Sequence, residues 1–160
     1  MSGFIAQNWG NLASVAGLGI SVWVLVVAKK AKRAAEEARS AARLKSLTEV
    51  LEEAANKTLQ VGIFLRGQKW DIVHLRAEEV SGSCRLVLGR WDDHLTEPAK
   101  NDLIDAIASV DSIAGVAADS SMRQLTTEDL ERALYAQVEA VGLISSVLGR
   151  ARKAEERSKT

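Results

Sequence analysis

The sequence contains three side chains of the kinds that bind zinc, two histidines and one cysteine. His74, Cys84 and His94 follow one another at intervals of ten residues. Zinc ligands usually come in pairs only a few residues apart, so this spacing predicts no metal, and we expect no cofactor. The single cysteine also cannot form a disulfide within the chain, which fits a reducing cytoplasm.

Carboxylate pairs are the next group that could carry out chemistry, by general acid and base catalysis. Such pairs occur at Glu36-Glu37, Glu52-Glu53, Glu78-Glu79 and Asp92-Asp93. None is associated with an apolar pocket pattern, and a solvated helix surface explains each of them. The sequence also lacks the nucleophile motif Gly-x-Ser-x-Gly and a glycine-rich phosphate loop. We therefore expect that the protein is not an enzyme.

A nucleotide is the small ligand that the side-chain types suggest. Four residues lie at spacings that could place them on one helix face: Arg66, Lys69, Trp70 and Arg76. Guanidinium groups would then contact phosphates while the indole stacked on a base. The alternative is a set of scattered surface cations near a tryptophan of the core. Residues 46–149 carry a net charge of −8, which argues against general nucleic-acid binding.

The N-terminal segment is the most informative element. Its first 28 residues contain no Asp, Glu, Lys or Arg, although 26% of the chain is charged. A helix from Trp9 to Lys29 would be about 30 Å long, at about 1.5 Å per residue, which matches the hydrocarbon core of a bilayer. The sequence therefore predicts a transmembrane segment within residues 1–28.

The charges around this segment predict its orientation. Four cations follow it and none precedes it: Lys29, Lys30, Lys32 and Arg33. The N-terminus should therefore lie outside and the rest of the chain in the cytoplasm, as a single-pass protein of a bacterial inner membrane. Trp9 is expected at the outer interface. A buried core helix or a cleaved signal peptide are the alternatives, but a signal peptide has its basic residues before the apolar run.

The predicted span carries a polar seam. Six residues follow one another at alternating spacings of four and three, as at the a and d positions of a coiled coil: Gln7, Asn11, Ser14, Leu18, Ser21 and Leu25. Small residues at Ala13, Gly17 and Ser21 would let helices approach closely. Polar side chains that face lipid are costly, so we expect a homo-oligomer whose seam joins the helices or lines a pore. A third interpretation places the outer polar residues in the headgroup region.

The rest of the chain predicts an all-α protein, because proline and aromatic residues are few. The span should continue into a basic to amphipathic juxtamembrane helix over residues 29–60, whose first part, residues 29–45, has a net charge of +5 and can contact anionic lipid. A small cytoplasmic helical bundle is expected over residues 61–149, and a basic tail over residues 150–160.

Glycines and capping residues predict the helix boundaries within the bundle. A bend or turn is expected near Gly62 and Gly67, followed by a helix from about Gln68 to Arg90. Further helices should begin near Thr96-Glu97-Pro98 and after Thr126-Thr127-Glu128-Asp129, and the last should end around Gly149. The expected apolar faces include Leu75, Ile104 and Val138.

This layout resembles two kinds of protein. The span and the run Lys-Lys-Ala-Lys-Arg-Ala-Ala-Glu-Glu-Ala-Arg resemble the b subunit of rotary ATP synthases, but that family continues as a long polar stalk. The span and basic run of residues 9–43, with the short helical domain, resemble single-span effectors of bacterial antiphage systems, such as the Hailong-type channel subunit. That resemblance implies an oligomeric channel that an oligonucleotide signal gates through the cytoplasmic domain.

Together these patterns predict an oligomeric membrane protein, a pore-forming or membrane-depolarising effector gated by its cytoplasmic helices. Its expected partners are the lipid bilayer and further copies of itself, and a nucleotide or oligonucleotide could be its signal. The alternative is a membrane-anchored adaptor or scaffold without a channel, whose helical bundle binds a partner protein.

Overall fold

The structure, a computed structural model, describes the backbone of residues 2–120 and 122–157 and the side chains of residues 21–120 and 122–157. This described part contains four α-helices and no strand. They are α1 (Ser2–Arg66), α2 (Trp70–Arg90), α3 (Glu97–Asp119) and α4 (Thr127–Arg157), with a short 3-10 helix at Asp92–His94 before α3. The prediction of an all-α protein is confirmed.

The chain divides into two compact units, Met1–Ser40 and Ala41–Thr160. The first unit consists of the N-terminal part of α1. The second contains the rest of α1 together with α2, α3 and α4, and these four segments form a helical bundle.

Consecutive helices of the bundle are antiparallel. Trp91, directly after α2, donates a hydrogen bond from Nε1 to the carbonyl oxygen of Arg43 in α1 at 3.1 Å. Lys57, later in α1, pairs with Glu79, earlier in α2, at 3.5 Å. Contacts between α2 and α3, between α3 and α4, and between α4 and α1 likewise pair later residues of one helix with earlier residues of the other. The topology is therefore up-down-up-down.

The core follows the a and d spacing of a coiled coil in all four helices. Buried side chains recur at steps of three and four residues: Leu44, Leu47, Leu51, Ala54, Thr58, Val61 and Leu65 in α1; Val73, Ala77, Val80, Cys84 and Val87 in α2; Ala99, Leu103, Ala106, Val110, Ile113 and Ala117 in α3; Ala133, Gln137, Ala140, Ile144, Val147 and Ala151 in α4. Such spacing lets each side chain pack between side chains of the facing helix. The many alanines let the helices approach closely.

Three large side chains expected in the core are exposed instead. Leu75, Ile104 and Val138 are 56%, 54% and 65% exposed. Ala77 and Ala106 occupy the core positions two residues after Leu75 and Ile104, and two residues correspond to about 200° around a helix. We expected the larger apolar side chains of Leu75 and Ile104 in the core, but the smaller side chains of Ala77 and Ala106 are buried instead.

Two predicted helix boundaries also need correction. Gly62 lies inside α1, which ends at Arg66, so only Gly67 belongs to the turn. There Gln68 has a φ of 52°, in the left-handed region that favours glycine or asparagine. α4 extends to Arg157 rather than ending around Gly149, because Ala151 is buried and continues its apolar seam.

Candidate functional site

The seam predicted for the N-terminal helix lies mostly outside the described side chains. Seven residues predicted to pack between helices, to line a pore or to lie at the membrane interface have side chains outside the described ones: Gln7, Trp9, Asn11, Ala13, Ser14, Gly17 and Leu18. Among the described residues, no helix is long and apolar enough to cross a membrane. The roles of the seven positions stay predictions.

The first fully described turns of α1 are apolar and exposed on every side. Six consecutive side chains, 43% to 69% exposed, make up this surface: Val22, Trp23, Val24, Leu25, Val26 and Val27. Successive helical residues are about 100° apart, so six of them cover the whole circumference. A helix that is hydrophobic all round is typical of a membrane span or a buried helix. Ser21 and Leu25, the two described positions of the seam, are both exposed.

The predicted basic flank follows on the surface of the same helix. Its exposed cations are Lys29, Lys30, Lys32 and Arg33. Lys32 lies 3.8 Å from Glu36 one turn later, and an exposed pair of this kind contributes little to stability. The arrangement is suited to contact with the phosphates of lipid headgroups.

The four residues of the predicted nucleotide site do not share a helix face. Arg66 is the last residue of α1, Lys69 precedes α2, and Trp70 and Arg76 belong to α2. The guanidinium of Arg76 donates to Glu79 Oε2 at 2.7 Å. The prediction of one common face is wrong, because a turn separates the two helices.

Trp70 instead lines a cavity of about 310 Å³ at the end of the bundle where α4 begins, together with Arg123. The guanidinium of Arg123 donates two hydrogen bonds to Asp129, at 2.7 and 3.1 Å. The backbone N–H and the hydroxyl of Thr126 each donate to Asp129 Oδ2 at 2.9 Å, and the Asp129 N–H donates back to the Thr126 hydroxyl at 3.2 Å. These reciprocal bonds are a capping box, as the sequence predicts.

The capping box determines the charge of this cavity. The Arg123 guanidinium, followed by the two donors of Thr126, holds the pKa of the Asp129 carboxyl well below its ordinary value. The carboxylate in turn neutralises the guanidinium. Arg123 therefore stabilises the start of α4 and is not an open cation for a phosphate.

Two of the three candidate zinc ligands, His74 and Cys84, contact other parts of the bundle. Among the described residues, no three His, Cys, Asp or Glu side chains are placed to hold a metal ion. His74 Nδ1 lies 3.2 Å from the carbonyl oxygen of Ala114 in α3. Cys84 is buried in the core, and burial raises the pKa of its thiol to about 12. A thiol of this kind is inert.

Sequence reasoning missed a polar contact inside the core. Gln137 is buried, and its amide nitrogen donates to the carbonyl oxygen of Thr58 at 3.1 Å. A Cβ atom at Gly62 would lie 2.9 Å from the Gln137 amide, so a larger residue at position 62 would require this amide to move. Gln137 lies four residues after Ala133 and three residues before Ala140. This is the spacing of core positions, and it could have predicted that Gln137 is buried.

An open groove lies beside this contact. This α1/α4 groove, about 230 Å³ in volume, is lined by Leu59, Gly62, Arg66, Gln137, Val138 and Val141. Leu59 and Val138 are exposed along it, as is Ile63 nearby. It forms an apolar strip on an otherwise acidic bundle.

Comparison with models of known protein families, with curated proteins and with solved structures finds no match to this chain.

Proposed function

We propose that this chain is a single-span membrane protein that oligomerises through its N-terminal helix and forms a pore, with the bundle as its cytoplasmic control domain. The supporting observation is the surface of residues 22–27, which is apolar around the whole helix. Exposing such a surface to water is costly, at about 25 cal/mol per Å². Lipid and sister helices would remove that cost, and the cations that follow would lie at the inner interface.

The seam supports self-association and a pore. A lone helix would leave the amides of Gln7 and Asn11 and the hydroxyl of Ser14 facing lipid, which is unfavourable. In a ring of helices the same groups could line a water-filled path, with Leu18 and Leu25 as apolar rings further in. Apolar rings of this kind can close a pore by excluding water.

The continuity of α1 supports control by the bundle. One helix extends from Ser2 to Arg66, so it includes the residues of the predicted seam and also forms one of the four segments of the bundle. A rearrangement that rotates or shifts α1 within the bundle would therefore act on the helix that carries the seam. This pore would serve as a membrane-depolarising effector in a bacterial inner membrane.

Ion flux from liposomes that contain the purified full-length protein tests the proposal. Asn11→Leu and Ser14→Leu should abolish or strongly reduce flux, whereas Val22→Leu, an apolar exchange off the seam, should not. Unchanged flux in the seam variants would refute the assigned pore face. Absence of flux under all conditions, including after deletion of residues 46–160, would refute the channel itself.

A membrane-anchored adaptor is the second candidate, and the α1/α4 groove favours it. The exposed Leu59, Ile63 and Val138 give the bundle an apolar surface of the kind that partner proteins bind. An adaptor should keep full activity when residues 1–28 are replaced by an unrelated span of equal length, whereas a pore should lose it. The oligomeric state in detergent is a second discriminator, because a monomer would contradict the pore.

A further inference from the structure

A cleft of about 500 Å³ lies between α1 and the end of α2. Its lining residues are Ala42, Arg43, Ser46, Arg90, Trp91 and Asp93. The ring of Trp91 is buried, and its Nε1 donates to the carbonyl oxygen of Arg43 at 3.1 Å. This hydrogen bond joins the residue after α2 directly to α1, so it fixes the spacing of the two walls of the cleft.

Arg43 and Arg90 differ from most arginines of the bundle because neither pairs with a carboxylate among the described side chains. Six other arginines there do pair with Asp or Glu: Arg76, Arg85, Arg123, Arg132, Arg150 and Arg152. Arg90 instead lies over the ring of Trp91, with Cζ 4.9 Å from the ring centroid. Such stacking holds a guanidinium in place without neutralising its charge.

We propose that this cleft binds a phosphate group, either of an anionic phospholipid or of a soluble phosphate compound. Two guanidinium groups and the Asp93 carboxylate leave the cleft with a net charge of +1. Guanidinium groups form paired, charge-assisted hydrogen bonds with phosphate oxygens. The hydroxyl of Ser46 can add a further donor, and the buried indole excludes water from one wall.

Asp93 supplies a test of opposite sign. Its carboxylate also lines the cleft, and its negative charge repels a bound phosphate. Removing this charge should tighten phosphate binding, whereas removing either arginine should weaken it. Arg66 is a matched control, because it too has no carboxylate partner among the described side chains but lines the α1/α4 groove.

The cleft lies within the bundle unit, so the inference does not depend on the proposed pore. Arg43 belongs to the basic segment, residues 29–45, which would lie on the side of the membrane that carries anionic lipid if the N-terminal helix spans it as predicted. The same guanidinium pair would bind a soluble phosphate compound in the absence of any membrane. The two sources share one chemistry and are separated by experiment.

The experiment uses the full-length protein in neutral detergent at low salt, with two probes in parallel. Pyrophosphate is titrated by calorimetry, and binding of phosphatidylglycerol, against phosphatidylcholine, is measured by native mass spectrometry. Arg43→Gln and Arg90→Gln should each weaken binding by about tenfold or more. Asp93→Asn should strengthen it several-fold, a change that misfolding would not produce, and Arg66→Gln should stay within about twofold.

Each outcome decides the question. Binding of pyrophosphate alone assigns a soluble ligand, binding of phosphatidylglycerol alone assigns a headgroup, and binding of both assigns the shared phosphate. Absence of binding to both probes overturns the proposal, and so does an equal loss in Arg66→Gln and the cleft variants. Ion flux plays no part in these assays, so a protein that binds phosphate but conducts no ions refutes the pore alone.

Discussion

The side-chain amide of Gln137 in α4 donates a hydrogen bond to the backbone carbonyl oxygen of Thr58 in α1, at 3.1 Å, inside the core of the bundle. The Thr58 hydroxyl is satisfied locally by the carbonyl oxygen of Ala54 at 2.7 Å. A polar residue at a core position of this spacing can specify one register between two helices, at some cost in stability. The contact therefore aligns α4 with the helix that also carries the predicted span.

Gly62→Ala should destabilise the bundle by about 1–2 kcal/mol. The new Cβ atom would lie 2.9 Å from the Gln137 amide and displace it from Thr58. An unpaired buried amide costs about 1–3 kcal/mol, more than the gain of up to about 1 kcal/mol from alanine in a helix. Thermal unfolding of the full chain in mild detergent, followed by circular dichroism, measures the change.

Two comparisons separate this clash from a general effect of glycine. Gly142→Ala places a Cβ atom with nothing within 4 Å and should be stabilising or neutral. In a Gln137→Ala background the clash is gone, so Gly62→Ala should then stabilise. Destabilisation in that background would show that the amide is not the cause.

Asp129→Asn should lower the melting temperature at pH 7 and flatten its decline in acid. The folded pKa of Asp129 is depressed, first by Arg123 and then by Thr126. Its contribution is therefore complete above the ordinary pKa and is lost as the pH falls below about 4. The difference between wild type and variant should shrink as the pH decreases from 5 to 2. A difference that stays constant over this range would contradict the role assigned to the Asp129 carboxylate.

Cys84 should resist thiol reagents while the protein is folded. It is buried, and its thiol pKa is raised to about 12, so little thiolate is present and reagents have no access. Labelling by a maleimide at pH 8 should be slower by about a hundredfold or more than in denaturant. The sequence contains one cysteine, so the label reports this site alone. Equal rates with and without denaturant would contradict the buried position.

Leu18→Lys should release the protein from membranes. A lysine at the middle of a span costs about 2.5–3.5 kcal/mol on insertion scales. The fraction of the full chain that stays with membranes after carbonate washing measures the effect. Leu59→Lys, at an exposed position of the bundle, is the matched control and should remain membrane-bound. Equal retention of both variants would count against residues 1–28 as the span.

Local physical chemistry was enough to predict the helices and most of their boundaries. Pro98 lies in the first turn of α3, as expected of a residue that lacks a backbone donor. Thr126 and Asp129 form the predicted capping box at the start of α4. These features depend on side chains within a few residues of one another, so they can be read without knowing the fold.

The candidate sites depended on pairs of residues that are distant in the sequence. Arg43 and Arg90 share a cleft because α1 and α2 lie side by side, with Trp91 bonded to Arg43, and the separation of Arg66 from Trp70 follows from a turn at Gly67. No spacing rule within one helix predicts either arrangement. The α1/α4 groove is likewise formed by residues that only the packing of two helices brings together.

Composition and short-range spacing are sufficient to predict the helical class, the capping of the helices and the division between an uncharged N-terminal segment and a charged body. Which face of each helix is buried depends on how the helices pack against one another. Ala77 is in the core while Leu75 is exposed, and Gln137 is in the core while Val138 is exposed. The reason is physical: close helix packing selects side chains by the space between the helices and by register, and hydrophobicity alone does not decide between neighbours.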